Sequence, residues 1–444
     1  MSSAIEQMLD RARHLAATRQ GEQAQAAYLE ILHHDPAHFA ALNELAIIAY
    51  ESGHRSAART LYEQAVRSHP QNAFARVNLG NLLYEAGESD TARAQFEAGL
   101  ALDGKLAEAH QGLARILADR GESQAAEDHW RKSFRGQAIV TRRYRGAPPG
   151  IALLLLVSAK GGNIPMLPLL DERIFAITAL YVEYYNPALP LPPHSLMFNA
   201  IGDADLCADA LDIAAGIATH AKVINPPEAV RRTGRAENAI RLADVPGVIA
   251  PAIRTISRVQ PPGDLDFPLL LRSPGFHTGQ HFVRVERREE FPSAIAALPG
   301  AELLVIQYLD ARGADGLARK YRVMIIDGAL YPVHLAIAPD WKVHYFTAQM
   351  TVAARAEEKH FLENMDAVLG PRALAALHHI GEILGLDYMG VDFALAPDGA
   401  LLLFEANATM VLNPPEADPI WDYRRAPIAR ALDAAKNMVL RKTS

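Results

Sequence analysis

Small, aromatic and turn-forming residues recur every 34 positions over the first 140 residues of the chain. The recurring residues are the alanines Ala24, Ala58, Ala92 and Ala126, the aromatic residues Tyr28, Tyr62, Phe96 and Trp130, and the glycines Gly53, Gly87 and Gly121. Small residues at helix crossings, with one aromatic residue in each second helix, predict a pair of helices in every period. Four such units fit, at Ser3–Pro36, Ala37–Pro70, Gln71–Gly104 and Lys105–Ala138.

This period and composition resemble the tetratricopeptide repeat. The resemblance implies a solenoid of stacked helix pairs whose first helices line a concave face. The polar residues expected on that face are Asn43, Asn78, Asn81, Tyr84 and Arg115. Asparagines in a groove can hydrogen-bond the backbone of an extended peptide, so we expect a peptide or protein partner. The alternative is that the array only stiffens the protein or joins it into a homodimer.

A basic segment and a proline-rich break end the repeat array. Arg131–Arg145 carries six basic residues, and Gly146–Gly150 then interrupts any helix. We therefore expect a helical solenoid over residues 1–140, a linker over 141–150, an α/β domain over 151–257 and an α+β domain over 258–444. The fold class is thus a multi-domain chain, all-α first and mixed α and β afterwards.

Short apolar runs after the linker predict a parallel sheet. The predicted strands are Ile151–Val157, Ile174–Tyr184, Ser195–Ala200 and Lys222–Ile224, with a helix near Asp205–His220. Strands that alternate with helices favour parallel pairing through crossover connections. A further helix is expected to begin at Asn225, with Arg231, Arg232 and Arg235 close behind it.

Near the C-terminus, the segment Gly390–Asn407 predicts a β-hairpin that aligns three oxygen-bearing side chains. Asp398-Gly399 is a strong signal for a two-residue hairpin turn. With that turn the register places Asp392 directly opposite Glu405, and Asn407 shares their face because side-chain direction alternates along a strand. Two carboxylates and an amide oxygen on one face suit a hard cation such as Mg²⁺. The alternative is an ordinary hairpin with solvated acids.

The acid, the hairpin and the FEANAT segment at residues 404–409 together resemble the closing metal motif of ATP-grasp enzymes. The resemblance extends over about residues 148–444. It implies a carboxylate–amine ligase with a glutathione-synthetase-like ATP-binding fold, which uses ATP and Mg²⁺, with Mn²⁺ as an alternative metal. Under this resemblance Asp392, Glu405 and Asn407 are the metal ligands, and residues 151–257 form the domain that precedes the ATP-grasp region and contacts substrate.

Segments upstream supply the other parts of a nucleotide site. Leu269–Arg272 and His281–Val285 read as strands around the loop Ser273–Gln280, whose glycines can close over a polyphosphate. The nucleotide-contacting residues that the resemblance implies are Arg235, Arg272, Ser273, Gly275, Gly279, Gln307, Tyr308, Leu309 and Asp310. Family members commonly carry lysine where Arg272 stands, and arginine keeps the charge while adding a bidentate fork.

Phosphoryl transfer is the chemistry these parts allow, because no nucleophile constellation is evident. Arg272 and Arg322, with Lys342 and His344 on the phosphate or the acceptor side, are the residues expected to act on the transferred group. The resemblance implies a small-molecule, amino-acid or peptide carboxylate that becomes an acyl phosphate and is then attacked by an amine. Two alternatives stay open: a phosphotransferase on the same fold, and a non-catalytic scaffold with a nucleotide-sensing domain.

The charge, the cysteine content and the length of the apolar runs indicate which partners and which cellular compartment to expect. The chain has 444 residues and a net charge of -7, which disfavours nucleic acid as the main partner. Cys207 is the only cysteine, which fits a reducing cytoplasm and excludes a disulfide framework. The N-terminus lacks a signal-peptide pattern, and the longest apolar run is far shorter than the ~20 residues that span a bilayer. We therefore expect a cytoplasmic protein with no membrane partner.

Overall fold

The computed structural model forms two compact units, Met1–Gln137 and Ala138–Ser444. It describes residues 2–17, 20–51, 54–134, 137–166, 168–259, 264–274, 281–343, 348, 350–415 and 418–443. Gly53, Gly275, Gly279 and His344, which the sequence singles out, lie outside these described residues.

The first unit consists of four helix pairs, which confirms the repeat prediction. The helices are α1 (Ser2–Ala17), α2 (Gly21–His34), α3 (Phe39–Glu51), α4 (Arg55–Ser68), α5 (Ala73–Glu85), α6 (Ser89–Leu102), α7 (Ala107–Asp119) and α8 (Ser123–Ser133). The periodic alanines and aromatic residues are buried between them. Gly87 and Gly121 have left-handed backbone angles, φ +81° and +76°, at the turns inside the third and fourth pairs. Glycine adopts that conformation without the penalty a side chain imposes, which explains its recurrence there.

The Phe96 ring of α6 fits between two glycines of the flanking helices. A methyl group built on Gly112 of α7 would lie 2.4 Å from the ring, and one on Gly80 of α5 would lie 2.8 Å from it. Both distances are shorter than any tolerable carbon–carbon contact. These two glycines therefore allow three helices to pack around one aromatic side chain.

We expect Gly112→Ala to destabilise the helical unit by about 1–3 kcal/mol, the usual cost of overpacking a core. Gly99→Ala is the matched control, because a methyl group there meets its nearest neighbour at 3.6 Å. That substitution should be neutral or stabilising by about 0.5–1 kcal/mol, since alanine favours a helix interior over glycine. Chemical denaturation of both variants measures the difference; equal free energies of unfolding would mean that Phe96 moves aside.

The second unit begins with a five-stranded sheet. Its strands are β1 (Ile139–Thr141), β2 (Ile151–Val157), β3 (Phe175–Tyr181), β4 (Leu196–Asn199) and β5 (Val223–Ile224), in the order β1-β3-β2-β4-β5. All pairs are parallel except β1 with β3. Helices α9 (Ala208–Ala218), α10 (Pro227–Arg231) and α11 (Arg235–Leu242) follow β4 and β5. The predicted parallel sheet is thus present, and the helix expected at Asn225 begins two residues later.

Two further sheets complete the second unit. The smaller contains β7 (Ile253–Ser257), β8 (Leu269–Arg272), β9 (Phe282–Val285) and β10 (Glu302–Gln307), in the order β7-β10-β8-β9. The larger contains β6 (Val248–Ile249), β11 (Ala318–Ile326), β12 (Ala329–Ala338), β13 (Tyr388–Leu395) and β14 (Leu401–Asn407), in the order β12-β11-β13-β14-β6. The remaining helices are α12 (Phe291–Ala297), α13 (Val352–Glu363), α14 (Met365–Leu384) and α15 (Arg425–Thr443).

Short strands pair across two of the predicted boundaries. Ile139–Thr141 pairs with β3 of the second unit, so the solenoid ends at Gln137 and not at residue 140. Val248–Ile249 pairs with β14, and Ile253–Ser257 pairs with β10. The sheets of the C-terminal region therefore begin before residue 257, where the sequence placed the end of the α/β domain.

Asn225 ties the first sheet to the largest one. Its amide nitrogen donates to the carbonyl of Tyr388 at 2.8 Å, and its amide oxygen accepts from the Tyr388 backbone N–H at 2.8 Å. The Asn225 backbone N–H also donates to the Asp387 carboxylate at 2.8 Å. A buried asparagine with both ends satisfied fixes the start of the strand that later carries Asp392.

The β13–β14 hairpin reaches its predicted register by an unpredicted route. The turn has three residues and not two, because Ala396 pairs with Ala400 and Gly399 takes the left-handed position at φ +77°. A bulge at Phe404 then shifts the pairing by one residue, which brings Asp392 opposite Glu405. The two-residue turn was therefore the wrong interpretation, although the pairing it predicted is found.

Candidate functional site

Four polar side chains lie in a row across the largest sheet. His334 on β12 pairs with Arg322 on β11, Arg322 pairs with Asp392 on β13, and Asp392 pairs with Glu405 on β14. Directly paired residues of antiparallel strands point to the same side of a sheet. The row therefore combines on one face an imidazole, a guanidinium and two carboxylates.

Two cations of β11 hold the buried Asp392 carboxylate. Arg322 donates from Nε to Oδ1 at 2.6 Å and from Nη2 to Oδ2 at 2.9 Å, and Lys320 donates from Nζ to Oδ2 at 3.0 Å. Burial alone would raise the pKa of the Asp392 carboxyl, but these charges outweigh burial and hold the pKa below its ordinary value. Burial beside the cations also lowers the pKa of His334 well below its ordinary value, so this imidazole is neutral at pH 7.

Glu405 is the more accessible end of the row, and Asn407 follows it two residues later on the same face of β14. Arg235 at the start of α11 forms an ion pair with Glu405. Asn407 donates to the Glu405 carboxylate at 2.8 Å, and its amide oxygen accepts from the Thr409 backbone N–H at 3.0 Å and hydroxyl at 2.8 Å. Thr409 thus fixes the orientation of the Asn407 amide.

The side-chain oxygens of Asp392, Glu405 and Asn407 are the kind of ligand that Mg²⁺ prefers. The neighbouring charges determine whether the metal would bind alone or together with an anion. Three cations (Arg235, Lys320 and Arg322) face the two carboxylates Asp392 and Glu405. A lone divalent cation would have to compete with these ion pairs for the two carboxylates, whereas one bound to a polyphosphate would bring negative charge that can pair with the same cations. Within the described residues no three histidine, cysteine, aspartate or glutamate side chains are arranged as a metal site; that set does not include asparagine.

The Glu405 end of the row borders a cleft of about 650 Å³, including space open to solvent. We call it the central cleft. Its charged and amide-bearing lining residues are Asp203, Asp205, Arg235, Asn238, Arg272, Glu405 and Asn407. The cleft thus brings together the loop after β4, the start of α11, the end of β8 and the end of β14. Of the sequence-predicted residues it contains Arg235, Arg272, Glu405 and Asn407.

Arg272 is a buried cation in the wall of the central cleft. Its side chain packs over the Phe282 ring, with the guanidinium carbon 5.3 Å from the ring centre. Burial, reinforced by the nearby charge of Arg235, lowers the pKa of Arg272 to about 10. Burial of the Arg272 charge and its repulsion from Arg235 both cost free energy. A bound anion reduces both costs, so this wall of the cleft favours an anionic ligand.

Lys342 reaches the same end of β8 and β9 from the loop after β12. Its ammonium group donates to the Phe282 carbonyl at 3.4 Å, and the neighbouring Trp341 ring contacts the Phe282 ring edge-on at 5.3 Å. Lys342 lies four residues beyond the end of β12 at Ala338. The lysine is exposed and lies beside Phe282 at the start of β9.

Ser273 begins the predicted glycine loop and is buried. Its hydroxyl donates to the Pro299 carbonyl at 2.7 Å, and its backbone N–H donates to the His281 carbonyl at 3.0 Å. These two bonds anchor the base of the loop.

Four of the predicted nucleotide-contacting residues, Gln307, Tyr308, Leu309 and Asp310, lie at and just past the end of β10. Gln307 exchanges bonds with Ala252, through its backbone N–H at 2.8 Å and its side-chain oxygen at 3.1 Å. In the part of the chain that the structure describes, the backbone groups of Tyr308 and Leu309 make no hydrogen bond. Asp310 is held by Arg312, whose hydrogen bonds lower the pKa of that carboxyl to about 2. The backbone groups of Tyr308 and Leu309 could therefore hydrogen-bond the edge of a flat base, whereas the Asp310 carboxylate is already paired with Arg312.

The predicted groove residues of the first unit bond to each other from repeat to repeat. Asn78 donates to Asn43, and Arg115 donates to Asn81 at 2.8 Å. Arg115 also lies over the Tyr84 ring at 5.1 Å, and the Tyr84 hydroxyl donates to Asp119 at 2.7 Å. These contacts form a polar ladder across the first helices of the second, third and fourth repeats.

Sequence reasoning missed Lys320, Asn238 and Asp205. Lys320 lies two residues before Arg322, so strand alternation places both cations on one face, and that signal was available. Asn238 lies one helical turn after Arg235, which also was readable. Asp205 was hidden, because it comes to the cleft only through packing of the loop after β4 against Gly234. The atoms packed around its carboxyl raise its pKa, although part of the residue is exposed.

The described helices include none that combines the length and apolarity a membrane crossing requires. Comparison with curated proteins found no match for the chain.

The first unit matches a known family and known structures. Three overlapping stretches, residues 9–73, 43–105 and 77–133, match the tetratricopeptide repeat family. A crystal structure of MamA is 21% identical over 28% of this chain and 74% of that one, with a TM-score of 0.26. MamA from Desulfovibrio magneticus RS-1 is 20% identical over 30% and 77%, with a TM-score of 0.27. YrrB, described as a TPR protein with an unusual peptide-binding site, is 20% identical over 31% and 74%, with a TM-score of 0.27. The family match, together with the four helix pairs, identifies the N-terminal region of this chain as an array of tetratricopeptide repeats.

Proposed function

We propose that the second unit is an ATP-dependent ligase that joins a carboxylate to an amine. The observation that carries the proposal is that Asp392, Glu405 and Asn407 share one face of the sheet, where Glu405 and Asn407 line the central cleft beside its arginines. Carboxylates that can hold a metal next to desolvated cations are the parts that phosphoryl transfer requires. The backbone beyond β10 supports a base-reading edge on the same unit.

The residues of this chain would contribute mainly charge and position. Arg272 and Arg235 neutralise phosphate or carboxylate oxygens in the cleft, and their preorganised geometry favours the transition state. Arg322 and Lys320 are fixed by Asp392, so their charges stay in place through the reaction. Glu405 and Asn407 would hold Mg²⁺, which when bound supplies further positive charge to the polyphosphate. Both oxygens of Asp392 are engaged by Arg322 and Lys320, so its part is to hold those two cations beside the metal.

The proposed reaction has two balanced steps. A carboxylate oxygen attacks the γ-phosphorus of ATP, the bond to the β-phosphate oxygen breaks, and ADP and an acyl phosphate result. The amine nitrogen then attacks the acyl carbon, the carbon–oxygen bond to phosphate breaks, and the nitrogen loses its proton to give an amide and inorganic phosphate. Exclusion of water from the cleft would protect the acyl phosphate between the steps.

We expect divalent metal to bind with nucleotide and not alone. Because three cations already surround the two carboxylates, Mn²⁺ used as a spectroscopic probe should bind at least about tenfold more tightly when a non-hydrolysable ATP analogue is present, about 1.4 kcal/mol. Water proton relaxation in Mn²⁺ titrations measures this difference. Glu405→Gln should remove the increment. Tight binding of Mn²⁺ without nucleotide, unaffected by that substitution, would contradict the proposed metal site.

The repeat array would recognise a peptide-like or protein-bound substrate or partner through its polar ladder. A chain that begins at Ala138 should still bind ATP, because the second unit has its own core. We expect it to lose kcat/KM on such a substrate, since contacts remote from the reacting atoms orient it. The same kcat/KM for the full chain and the fragment would make the array a stabilising or assembly module.

A further inference from the structure

The coupling step proposed above releases a proton at the amine nitrogen, and that proton needs an acceptor. When the nitrogen attacks the acyl carbon it becomes positively charged, and it must lose a proton before the amide is stable. A positioned general base accelerates such a step by about 10²–10⁴-fold. The base has to lie in the central cleft, because the arginines that would hold the phosphate and the carboxylate line that cleft.

Three carboxylates can accept a proton among the described residues of the cleft lining: Asp203, Asp205 and Glu405. Glu405 forms an ion pair with Arg235 and is a proposed metal ligand. Asp203 closes the turn of its own loop, since its Oδ1 atom accepts from the backbone N–H groups of Asp205 and Leu206, both at 2.9 Å. These two carboxylates are therefore already engaged.

Asp205 is held in place by the backbone at the start of α11. Its Oδ2 atom accepts from the Arg235 backbone N–H at 3.3 Å, and among the described residues it forms no ion pair and its Oδ1 atom accepts no hydrogen bond. A methyl group on Gly234 would meet the Oδ1 atom at 2.7 Å, so glycine leaves room for the carboxylate. The Oδ1 atom of Asp205 thus keeps its lone pairs for a proton.

The surroundings of Asp205 suit proton transfer. Four charged side chains act on this part of the cleft: Arg235, Arg272, Asp203 and Glu405. The atoms packed around the carboxyl outweigh the Arg235 charge and raise the pKa of Asp205, which makes its carboxylate a better proton acceptor. Because part of the residue is exposed, a proton taken up there can pass on to water.

We infer that Asp205 is the general base of the coupling step. As the nitrogen–carbon bond forms, the carbon–oxygen bond to phosphate breaks and its electron pair stays on the phosphate oxygen. One N–H proton passes from the nitrogen to the Oδ1 atom of Asp205, and the protonated carboxyl then gives it to water. This assignment rests on the proposed ligase function and supplies the proton acceptor of its second step.

The test separates the two steps of the reaction in Asp205→Asn. Asparagine keeps the size of the side chain and an oxygen that can accept from the Arg235 N–H, so the fold should be retained, which thermal unfolding checks. The full chain is incubated with ATP, Mg²⁺, the twenty protein amino acids and a dipeptide library, and amide products are measured by mass spectrometry. A parallel reaction contains concentrated hydroxylamine, which traps an acyl phosphate as a hydroxamate without an enzyme base.

Asp205→Asn should lower amide formation about 10²-fold or more, while hydroxamate formation stays within about threefold of the wild-type level. Asp244→Asn is the matched control, because Asp244 is an exposed acid after α11 that is outside the cleft lining. That control should leave both products unchanged. If Asp205→Asn does not fold, Gly234→Ala makes the same test, since its methyl group would displace the Oδ1 atom without changing a charged side chain.

Two results overturn the assignment while the ligase proposal stands. Unchanged amide formation in the folded variant would mean that the proton goes directly to solvent or phosphate. An equal loss of amide and hydroxamate would mean that Asp205 acts on binding or on the first step. If the wild-type chain forms neither product, the ligase proposal fails, and the assignment of Asp205 fails with it.

Discussion

Glu405→Ala should lower kcat for ATP turnover about 10²–10³-fold while the protein stays folded. The carboxylate is at the accessible end of the row and is one of the proposed metal ligands, and losing a preorganised charge at a phosphoryl centre costs about 2.7–4 kcal/mol of barrier. The fold should tolerate the change, because the ion pair with Arg235 is partly exposed and such pairs contribute about 0–1 kcal/mol.

Glu302→Ala is the matched control for that experiment. Glu302 is an exposed glutamate at the start of β10, away from the row. Steady-state ADP release and thermal unfolding should be measured for both variants. If Glu405→Ala and Glu302→Ala turn over ATP equally, Glu405 is only a structural partner of Arg235 and the site assignment is wrong.

Replacing Arg272 should separate charge from geometry. Arg272→Lys keeps a cation but loses the bidentate fork and the packing over Phe282, so we expect a partial loss of rate. Arg272→Ala removes the desolvated charge, and its kcat should fall by about 10²–10³-fold.

Arg254→Ala supplies the comparison for Arg272, since Arg254 is an exposed arginine of β7 paired with Asp264. Single-turnover measurements with saturating nucleotide report the chemical step directly. Wild-type rates in both Arg272 variants would indicate that this arginine only supports the packing of β8 on β9.

The elements of the fold were largely readable because their signals are local. A 34-residue period depends only on residues within one repeat and its neighbour, so the helix pairs followed from the sequence. The hairpin signal is local too, but the turn length was misread, and the bulge at Phe404 could not be foreseen because it depends on how β14 packs. The longer turn shifts the pairing by one residue and the bulge shifts it back, so Asp392 still pairs with Glu405 as predicted.

The contacts that define the site were less readable because they join distant segments. Arg322 meets Asp392 across 70 residues, and Arg235 meets Glu405 across 170. Their residue types suggested phosphate contacts, but nothing in the spacing indicates that the acids and arginines would pair with each other. The same limit applies to Asn238, whose partner at Ala406 is equally remote.

The transfer of an oxygen atom from carboxylate to phosphate tests the central claim most directly. The full chain is incubated with ATP, Mg²⁺ and amino acids or peptides whose carboxylates carry ¹⁸O, and the phosphate and the coupled product are read by mass spectrometry. A ligase that forms an acyl phosphate releases ADP and phosphate containing one ¹⁸O atom for each amide formed. Unlabelled phosphate, a stable phosphorylated product, or release of AMP and pyrophosphate would contradict the account.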